Sequence, residues 1–205
     1  AERQKFERTI ESSQISLDLR EINSAPAFIE PDVFRTLQML PGVQTSSDFS
    51  SALYVRGSTP DQNLIMLDGI AVYNPYHLGG IFSTFNTDAI KEADFHAGGF
   101  PAQYGGRMGA ILNIINREGN ANKITGMANI SLISSKALIE GPMPKWRGMK
   151  GSWMISGRRT YFDTIIDALK IPIGKKSDGT DEYFQFPYYF YDYQVKINLD
   201  LSQNH

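Results

Sequence analysis

The fold is decided by the stretch Leu64-Ile65-Met66-Leu67-Asp68-Gly69-Ile70. Four apolar residues precede Asp68-Gly69, a pair that supplies the positive φ angles of a two-residue hairpin turn. Apolar sequence then resumes at Ile70. We therefore predict a strand over Asn63–Leu67, a tight turn at Asp68-Gly69 and a second strand over Ile70–Tyr73.

A mixed α/β domain is predicted around this hairpin, as far as about residue 120. Asp32–Leu40 is expected to be a short helix, because Pro31 is tolerated in a first turn and Asp32 favours a helix N-terminus. Pro41-Gly42 ends this helix. The other predicted elements are strands over Ser51–Arg56, Ala93–His96 and Ile111–Asn116, a helical turn over Asp88–Glu92 and a polar, aromatic loop over Asn74–Gly80.

Beyond residue 120 the sequence alternates between apolar and polar residues, as strands with two different faces do. The clearest case is Tyr191–Leu201, in which every odd-numbered residue is apolar or aromatic and every even-numbered residue is polar. This length matches that of a tilted membrane-spanning strand, about 9–11 residues. We predict four strands, over residues 124–133, 135–143, 151–162 and 187–202, and a long connection over 163–186.

Two interpretations of these strands are open from their pattern. Half-buried strands of a soluble sheet alternate in the same way. However, tyrosine and tryptophan lie at the strand ends, as in the aromatic girdles of membrane barrels, and no further sequence is left to cover an apolar face. Four open strands of this kind would aggregate. We therefore expect the sheet to continue beyond His205 and the chain to be a fragment.

The composition excludes several classes of protein. A net charge of −2 over 205 residues gives no electrostatic reason to bind nucleic acid. The chain has no cysteine, and its histidines (His77, His96 and His205) match no metal-ligand spacing. Apolar runs of about 18 residues are absent, so no transmembrane helix is predicted, and residues 1–8 do not resemble a signal peptide.

Catalysis is not indicated either. Gly98–Gly109 is rich in glycine, but no Gly-Lys-Ser/Thr follows it, and the next residues predict a strand instead of the helix that a phosphate loop needs. The aspartates between residues 61 and 94 have neither a histidine partner nor the spacing of paired catalytic carboxylates. We therefore predict a protein that is not an enzyme, with no cofactor and no metal site.

Three strings of residues carry a resemblance to a known family. The first is Leu40-Pro41-Gly42-Val43 followed by Tyr54-Val55-Arg56-Gly57, the second is Leu64–Ile70, and the third is Phe100–Asn116, which includes Tyr104-Gly105-Gly106-Arg107. In this order and at this spacing they resemble the plug domain of TonB-dependent receptors, over about residues 20–120. Farther along, Glu140-Gly141-Pro142 and Ser156–Tyr161 resemble a Bacteroidota branch of that family.

The resemblance implies an α+β plug domain followed by about four antiparallel strands that begin a large transmembrane β-barrel. It divides the chain into an N-terminal segment (residues 1–20) downstream of a missing TonB box, a plug (21–120) and the start of the barrel (121–205). The implied location is the outer membrane of a Gram-negative bacterium, with the plug inside the barrel and open to the periplasm.

The family also implies roles for particular residues. Arg56 matches an Arg-Gly position at which plugs of this family pair a buried arginine with carboxylates of the barrel wall, since an unpaired buried charge is costly. Many members have Arg-Gly-Pro where this chain has Ala97-Gly98-Gly99, so one arginine of this lock is missing and Arg107 is the candidate substitute. The predicted structural motif of the plug comprises Gly57, Asp68, Gly69, Tyr104, Gly105, Gly106 and Gly109.

Ligand contacts are expected on loops that face the outside, over residues 45–50, 58–63 and 73–78. Aromatic and amide side chains on such loops would stack on and hydrogen-bond to polar ligands. An open alternative is that Tyr73 and Tyr76 only pack against the barrel wall. The candidate ligand-binding residues are Asp48, Phe49, Gln62, Tyr73, Asn74, Tyr76 and His77.

Active import is the function that the resemblance implies. A small-molecule, glycan or peptide ligand would bind at the cell surface, and TonB with its inner-membrane energising complex would rearrange the plug to admit it. Outer-membrane lipid and a surface lipoprotein are further candidate partners. Two alternatives from other classes are a receptor-like barrel serving as a structural or assembly subunit of an outer-membrane complex, and a soluble binding domain.

Overall fold

The computed structural model describes residues 14–26, 30–144, 150–175, 179–185 and 188–200. The chain divides into two compact units, residues 1–117 and 118–205, and each is described by itself. Most of the predicted N-terminal segment lies outside the described residues, as do residues 187, 201 and 202 of the last predicted strand. None of the helices in the described ranges is long and apolar enough to cross a membrane.

The first unit combines short strands with two short α-helices. Single turns of 3-10 helix span Pro60–Gln62, Leu78–Gly80 and Thr87–Ala89. The helices are α1 (Leu19–Ser24) and α2 (Val33–Leu37). The strands are β1 (Gln14–Asp18), β2 (Val43–Gln44), β3 (Tyr54–Val55), β4 (Leu64–Leu67), β5 (Ile70–Ala71), β6 (Tyr76–His77), β7 (Phe82–Ser83), β8 (Ile90–His96) and β9 (Ile111–Asn116).

The main sheet of this unit has the strand order β1-β8-β9-β4-β5. Strands β4 and β9 are parallel, and the other neighbours are antiparallel. The predicted strand Ile111–Asn116 is confirmed, and it lies at the centre of the sheet. Its residues Leu112 and Ile114 share one face and are buried in one apolar core with Phe34, Phe85 and Phe95, whereas Asn113 and Ile115 on the other face are half-buried.

Helix α2 is shorter than the predicted span Asp32–Leu40. Asp32 is its N-cap, and the carboxylate Oδ1 accepts a hydrogen bond from the backbone N–H of Phe34 at 2.8 Å. Pro31 therefore precedes the cap instead of lying in the first turn. The helix tightens at its end, where the N–H of Leu40 bonds the carbonyl of Leu37 at 3.0 Å, and this ends the regular i to i−4 pattern early.

Several strands of the first unit differ from the predicted spans. The predicted strand Ser51–Arg56 is limited to Tyr54–Val55, because Arg56 and Gly57 have φ angles of 49° and 86° and form a turn. Strand β8 is longer than the predicted Ala93–His96 and begins at Ile90, directly after the 3-10 turn Thr87–Ala89. Strand β1 and helix α1 were not predicted. The capping box of α1, formed by Asp18 and Glu21, is a sequence signal that could have revealed it.

The second unit is an antiparallel sheet with a long connection between its third and fourth strands. Its order is β10-β11-β12-β15, and these strands correspond to the four predicted ones with shifted ends. The connection, predicted as a loop with an amphipathic turn, contains a helix and a hairpin. The elements are β10 (Thr125–Ile130), β11 (Ser134–Pro142), β12 (Lys150–Thr160), α3 (Phe162–Leu169), β13 (Pro172–Lys175), β14 (Asp181–Tyr183) and β15 (Tyr191–Asp200).

Candidate functional site

A cleft of about 550 Å³ opens on the surface of the first unit. The 3-10 turn Pro60–Gln62, the loop that follows β5 and the glycine-rich segment before β9 each contribute to its walls. The side chains that could contact a ligand come from all three segments. The polar and aromatic residues that line it are Asp61, Asn63, Tyr73, Asn74, Tyr76 and Arg107.

Asn63 fixes the floor of this cleft. Its amide Nδ2 donates to the carbonyl of Leu53 at 2.8 Å, and its Oδ1 accepts from the backbone N–H of Ala110 at 3.0 Å. Asn63 itself is buried. Because a buried amide that satisfies two backbone groups holds them in place, Asn63 joins the chain before β3 and the start of β9 beneath the cleft.

Tyr76 forms a wall that continues into the apolar core. Its ring centroid lies 5.2 Å from that of Phe34, with a tilted geometry. Burial raises the pKa of the Tyr76 phenol to about 12, since the charged phenolate is disfavoured away from water. Tyr76 is therefore a neutral hydroxyl at physiological pH, held in a fixed position by aromatic packing.

Tyr73 and Asn74 lie in the loop between β5 and β6 and form an exposed part of the cleft lining. Tyr73 is 97% exposed, so its ring is available on both faces. Asn74 is exposed, and its Oδ1 accepts a long hydrogen bond of 3.4 Å from the backbone N–H of Tyr76. The cleft lining thus has one tyrosine packed on the core, Tyr76, and one exposed tyrosine, Tyr73, which is a combination suited to stacking on a ligand.

Opposite charges lie at the mouth of the cleft. The Thr59 hydroxyl, the Asp61 backbone and, to a smaller extent, the positive charge of Arg107 hold the pKa of Asp61 below its usual value. Both Asp61 and Arg107 are exposed. A carboxylate and a guanidinium at the rim can each pair with a charged or hydroxyl-bearing group of a ligand.

The structure brings four of the predicted site residues to this cleft and leaves the other candidates outside it. Tyr73, Asn74, Tyr76 and Arg107 line the cleft. Asp61 and Asn63 lie in the predicted ligand loop 58–63, but they are not among the individual candidates. Asp61 is inside the 3-10 turn Pro60–Gln62 and Asn63 directly follows it, where polar side chains commonly bond the backbone.

The remaining candidates lie on neighbouring segments. Asp48 and Phe49 are exposed on the loop between β2 and β3, where the guanidinium of Arg35 donates to the Asp48 carbonyl at 2.7 Å. Gln62 turns its Oε1 back to the N–H of Thr59 at 3.3 Å. His77 is half-buried in β6, which pairs with β7. None of these residues is a wall of the cleft.

The predicted lock residue Arg56 lies in the turn after β3, with its side chain between two glycines. A Cβ at Gly42 would lie 3.6 Å from Cγ of Arg56, and one at Gly98 would lie 3.2 Å from its Nη1. Gly98, which follows the Ala97 position discussed above, thus leaves room for the guanidinium of Arg56. The pairing of Arg56 or Arg107 with a barrel wall stays a prediction.

The residues of the predicted structural motif of the plug have different structural roles. Asp68 and Gly69 have φ angles of 50° and 81° and connect paired residues Leu67 and Ile70, as predicted for a two-residue hairpin. Asp68 is further held by Asn116, whose N–H and Nδ2 donate to its carboxylate at 3.0 and 3.1 Å.

The other members of the motif lie in turns or in close contacts. Gly57 and Gly106 have left-handed φ angles of 86° and 79°, and Gly105 has open space around it. A Cβ at Gly109 would lie within 3.0 Å of Ser58 and Asn63, so this glycine allows close packing within the plug. Tyr104 stands against His96, with a ring-centroid distance of 5.9 Å.

The sheet of the second unit has one mostly polar face, which also carries Leu138 and Met154, and one mostly apolar face. The mostly polar face is the buried one and the mostly apolar face is exposed, the reverse of a soluble protein. On the polar face, Ser156 and Arg158 are buried, and Arg158 forms a 2.6 Å ion pair with Asp192. On the apolar face, Tyr193 and Val195 are 75% and 67% exposed. The predicted alternation of β15 is therefore confirmed, with its apolar side chains outward.

Metal chemistry has no site in the part of the chain that the structure describes. There, no group of three or more histidine, aspartate or glutamate side chains is placed to hold an ion. The candidate site is a cleft lined by aromatic, amide and charged groups.

Comparison with known proteins identifies the first unit. Residues 12–111 match the family described as TonB-dependent Receptor Plug Domain. The chain therefore contains a TonB-dependent receptor plug domain, and the family predicted from the three strings is confirmed. This family is one of receptors and not of enzymes. The assignment to a Bacteroidota branch stays a prediction.

Solved structures share the fold over most of the chain. The siderophore receptor PirA of Pseudomonas aeruginosa is 19% identical, with a TM-score of 0.51 over 73% of this chain. The ferric enterobactin receptor PfeA of the same organism, solved with enterobactin, is 19% identical, with a TM-score of 0.53 over 80%. The outer membrane transporter YddB of Escherichia coli is 12% identical, with a TM-score of 0.54 over 91%.

The chain corresponds to only part of each of these proteins. It covers 29% of PirA, 27% of PfeA and 29% of YddB. At these identities the likeness concerns the fold. It confirms the predicted fold class, an α+β plug followed by antiparallel strands, of which the described residues include four in one sheet.

Proposed function

We propose that the chain belongs to an outer-membrane import receptor. The receptor binds a ligand at the cell surface and admits it to the periplasm when TonB, driven by its inner-membrane energising complex, rearranges the plug. The observation that carries this proposal is the presence, after a plug domain, of a sheet whose apolar face is exposed and whose polar face is buried.

The energetics of this sheet favour a membrane. Ile139, Ile155, Val195 and Ile197 are between 49% and 67% exposed on one face, and apolar surface costs about 25 cal/mol per Å² in water. Hydrocarbon removes this cost, and strands of 9, 11 and 10 residues in β11, β12 and β15 have the length required to span it. A plugged barrel of about 22 strands is the size class that we propose.

The cleft is the proposed ligand site. Tyr73 offers an exposed ring, Asn74 an amide, and Arg107 and Asp61 opposite charges, so a polar ligand with ring groups fits its chemistry. Small molecules, glycans and peptides remain the candidate classes. PirA and PfeA are siderophore and ferric enterobactin receptors by name, which supports the first class. A surface lipoprotein is a further candidate partner.

The first test is the location and energy dependence of the full-length protein. We expect it in the outer-membrane fraction, extracted only by detergent, with a mass several times the 23.0 kDa of this chain. Cells that produce it should accumulate a radiolabelled ligand, chosen from a binding screen of ferric siderophores, oligosaccharides, peptides and cobalamin, only when the inner-membrane energising complex is intact. A soluble protein of 23.0 kDa would contradict the proposal.

One observation favours a second candidate, a scaffold subunit of an outer-membrane complex. The position of a lock arginine is occupied by Ala97, and the space beside the next residue, Gly98, is taken by Arg56. A scaffold would be found in the same membrane fraction, but deleting the energising complex would change neither ligand binding nor accumulation. Stable co-purification with other outer-membrane proteins, without energy-dependent accumulation, would establish it.

A further inference from the structure

The exposed apolar face of the second unit contains a groove of about 270 Å³. Its floor is formed by small residues, Ala137 on β11 and Gly157 on β12, which are paired directly across the two strands. Larger residues stand around them, so the missing side chains leave a depression within an otherwise filled apolar surface. The walls are formed by Ile139, Trp153, Ile155 and Tyr193.

The two aromatic walls lie over glycines of neighbouring strands. The Tyr193 ring lies over Gly157, where a Cβ would be 3.3 Å from the ring carbons Cδ1 and Cε1. The Trp153 ring lies over Gly141 in the same way, and its Nε1 donates to the carbonyl of Pro142 at 3.0 Å. Because these glycines have no side chain, the two rings can approach the strands on either side of the groove.

A cationic side chain lies on the same face at one end of the groove. Arg159 is two residues beyond Gly157 along β12, which places it roughly 7 Å farther along the strand. Arg159 is exposed, and its guanidinium stacks on the ring of Tyr189 at 5.5 Å. An apolar groove that ends at an arginine matches a ligand with an acyl chain and an anionic head group.

We propose that this groove binds one molecule of a phosphorylated, acylated glycolipid of the outer leaflet. An acyl chain lies in the groove over Ala137 and Gly157, and the phosphate pairs with Arg159. The inference rests on the proposed membrane-spanning role. Strand β12 ends at Thr160 and is followed by the long connection over residues 161–190. Since the long connections of such barrels are on the extracellular side, Arg159 lies in the outer leaflet.

The test is native mass spectrometry of the delipidated full-length receptor, titrated in detergent with monophosphoryl lipid A. We expect one molecule bound. Ala137→Leu, which fills the groove from an exposed position, should weaken binding by roughly tenfold or more. Arg159→Gln should weaken it by roughly tenfold through loss of the charge-assisted bonds, and Arg159→Lys should retain most of it.

The matched control is Ile130→Phe, which adds bulk to the same face outside the groove and should bind lipid A like the wild type. Equal binding of lipid A by the Ala137→Leu and Ile130→Phe variants would overturn the proposal. So would a preference for phosphatidylglycerol over lipid A, or a dimer in which a second copy of the chain covers the groove. Heat-modifiable mobility in gels shows whether each variant is folded. Correct membrane location with unchanged lipid binding would refute this inference alone and leave the import function standing.

Discussion

The side-chain oxygen of Asn63 accepts a hydrogen bond from the backbone N–H of Ala110 at 3.0 Å. The same amide donates to Leu53 at 2.8 Å. One buried side chain therefore connects the approach to β3, the start of β4 and the start of β9 beneath the cleft. The arrangement makes the cleft depend on a residue that need not touch the ligand.

Replacing Asn63 by leucine should destabilise the plug by about 2–4 kcal/mol, because a buried carbonyl and a buried N–H lose their partners. Hydrogen exchange of the full-length protein should show faster exchange near residues 53 and 110. The comparison is Asn74→Ala, an exposed amide that should change stability by less than about 0.5 kcal/mol. Unchanged exchange in the leucine variant would show that the bonds contribute little.

Gly109→Ala should also destabilise the plug, by about 1–3 kcal/mol. The new Cβ would lie 2.5 Å from Oδ1 of Asn63 and 2.6 Å from Oγ of Ser58, so both of these side chains, or the backbone of residue 109, must move. Gly105→Ala is the matched control, since that glycine has open space and no left-handed φ. Urea unfolding of both variants in detergent measures the difference, and equal midpoints would contradict the steric account.

Tyr76 should make the stability of the plug depend on alkaline pH. The pKa of its phenol in the folded protein is about 12, raised from 10.0 by burial. Its contribution is fully present below pH 10 and is lost as the pH rises towards 12, by roughly 2–3 kcal/mol. Unfolding free energies measured at pH 9 and pH 11 should therefore differ less in Tyr76→Phe than in the wild type. The same pH dependence in both proteins would mean that other groups cause it.

The ion pair between Arg158 and Asp192 should behave as a buried pair. The two side chains are 1% and 12% exposed, so Arg158→Met, which leaves a carboxylate without its partner, should cost about 3–5 kcal/mol. The double variant Arg158→Met with Asp192→Leu should recover much of this loss, because both charges are then removed. Urea midpoints of the full-length protein in detergent provide the double-mutant cycle, and additive losses would exclude coupling.

Local chemistry explains what the sequence predicted well. The Asp68-Gly69 turn depends on the φ preferences of two adjacent residues, and the strand Ile111–Asn116 on a short apolar run. The alternation in Tyr191–Asp200 likewise specified which side chains share a face. In contrast, β1 was missed because its partner β8 lies far along the chain, and Arg56 was placed in a strand because its turn conformation is uncommon for arginine.

The sequence by itself determined the turns, the central strand and the two-faced strands of this protein, because each follows from residues that are neighbours in the chain. Only the tertiary structure decided which loops meet to form the cleft. Asn63 and Ala110 come together through the parallel pairing of β4 and β9, and no local pattern encodes that pairing. The candidate site is therefore a product of long-range strand pairing, while its scaffold is a product of local preference.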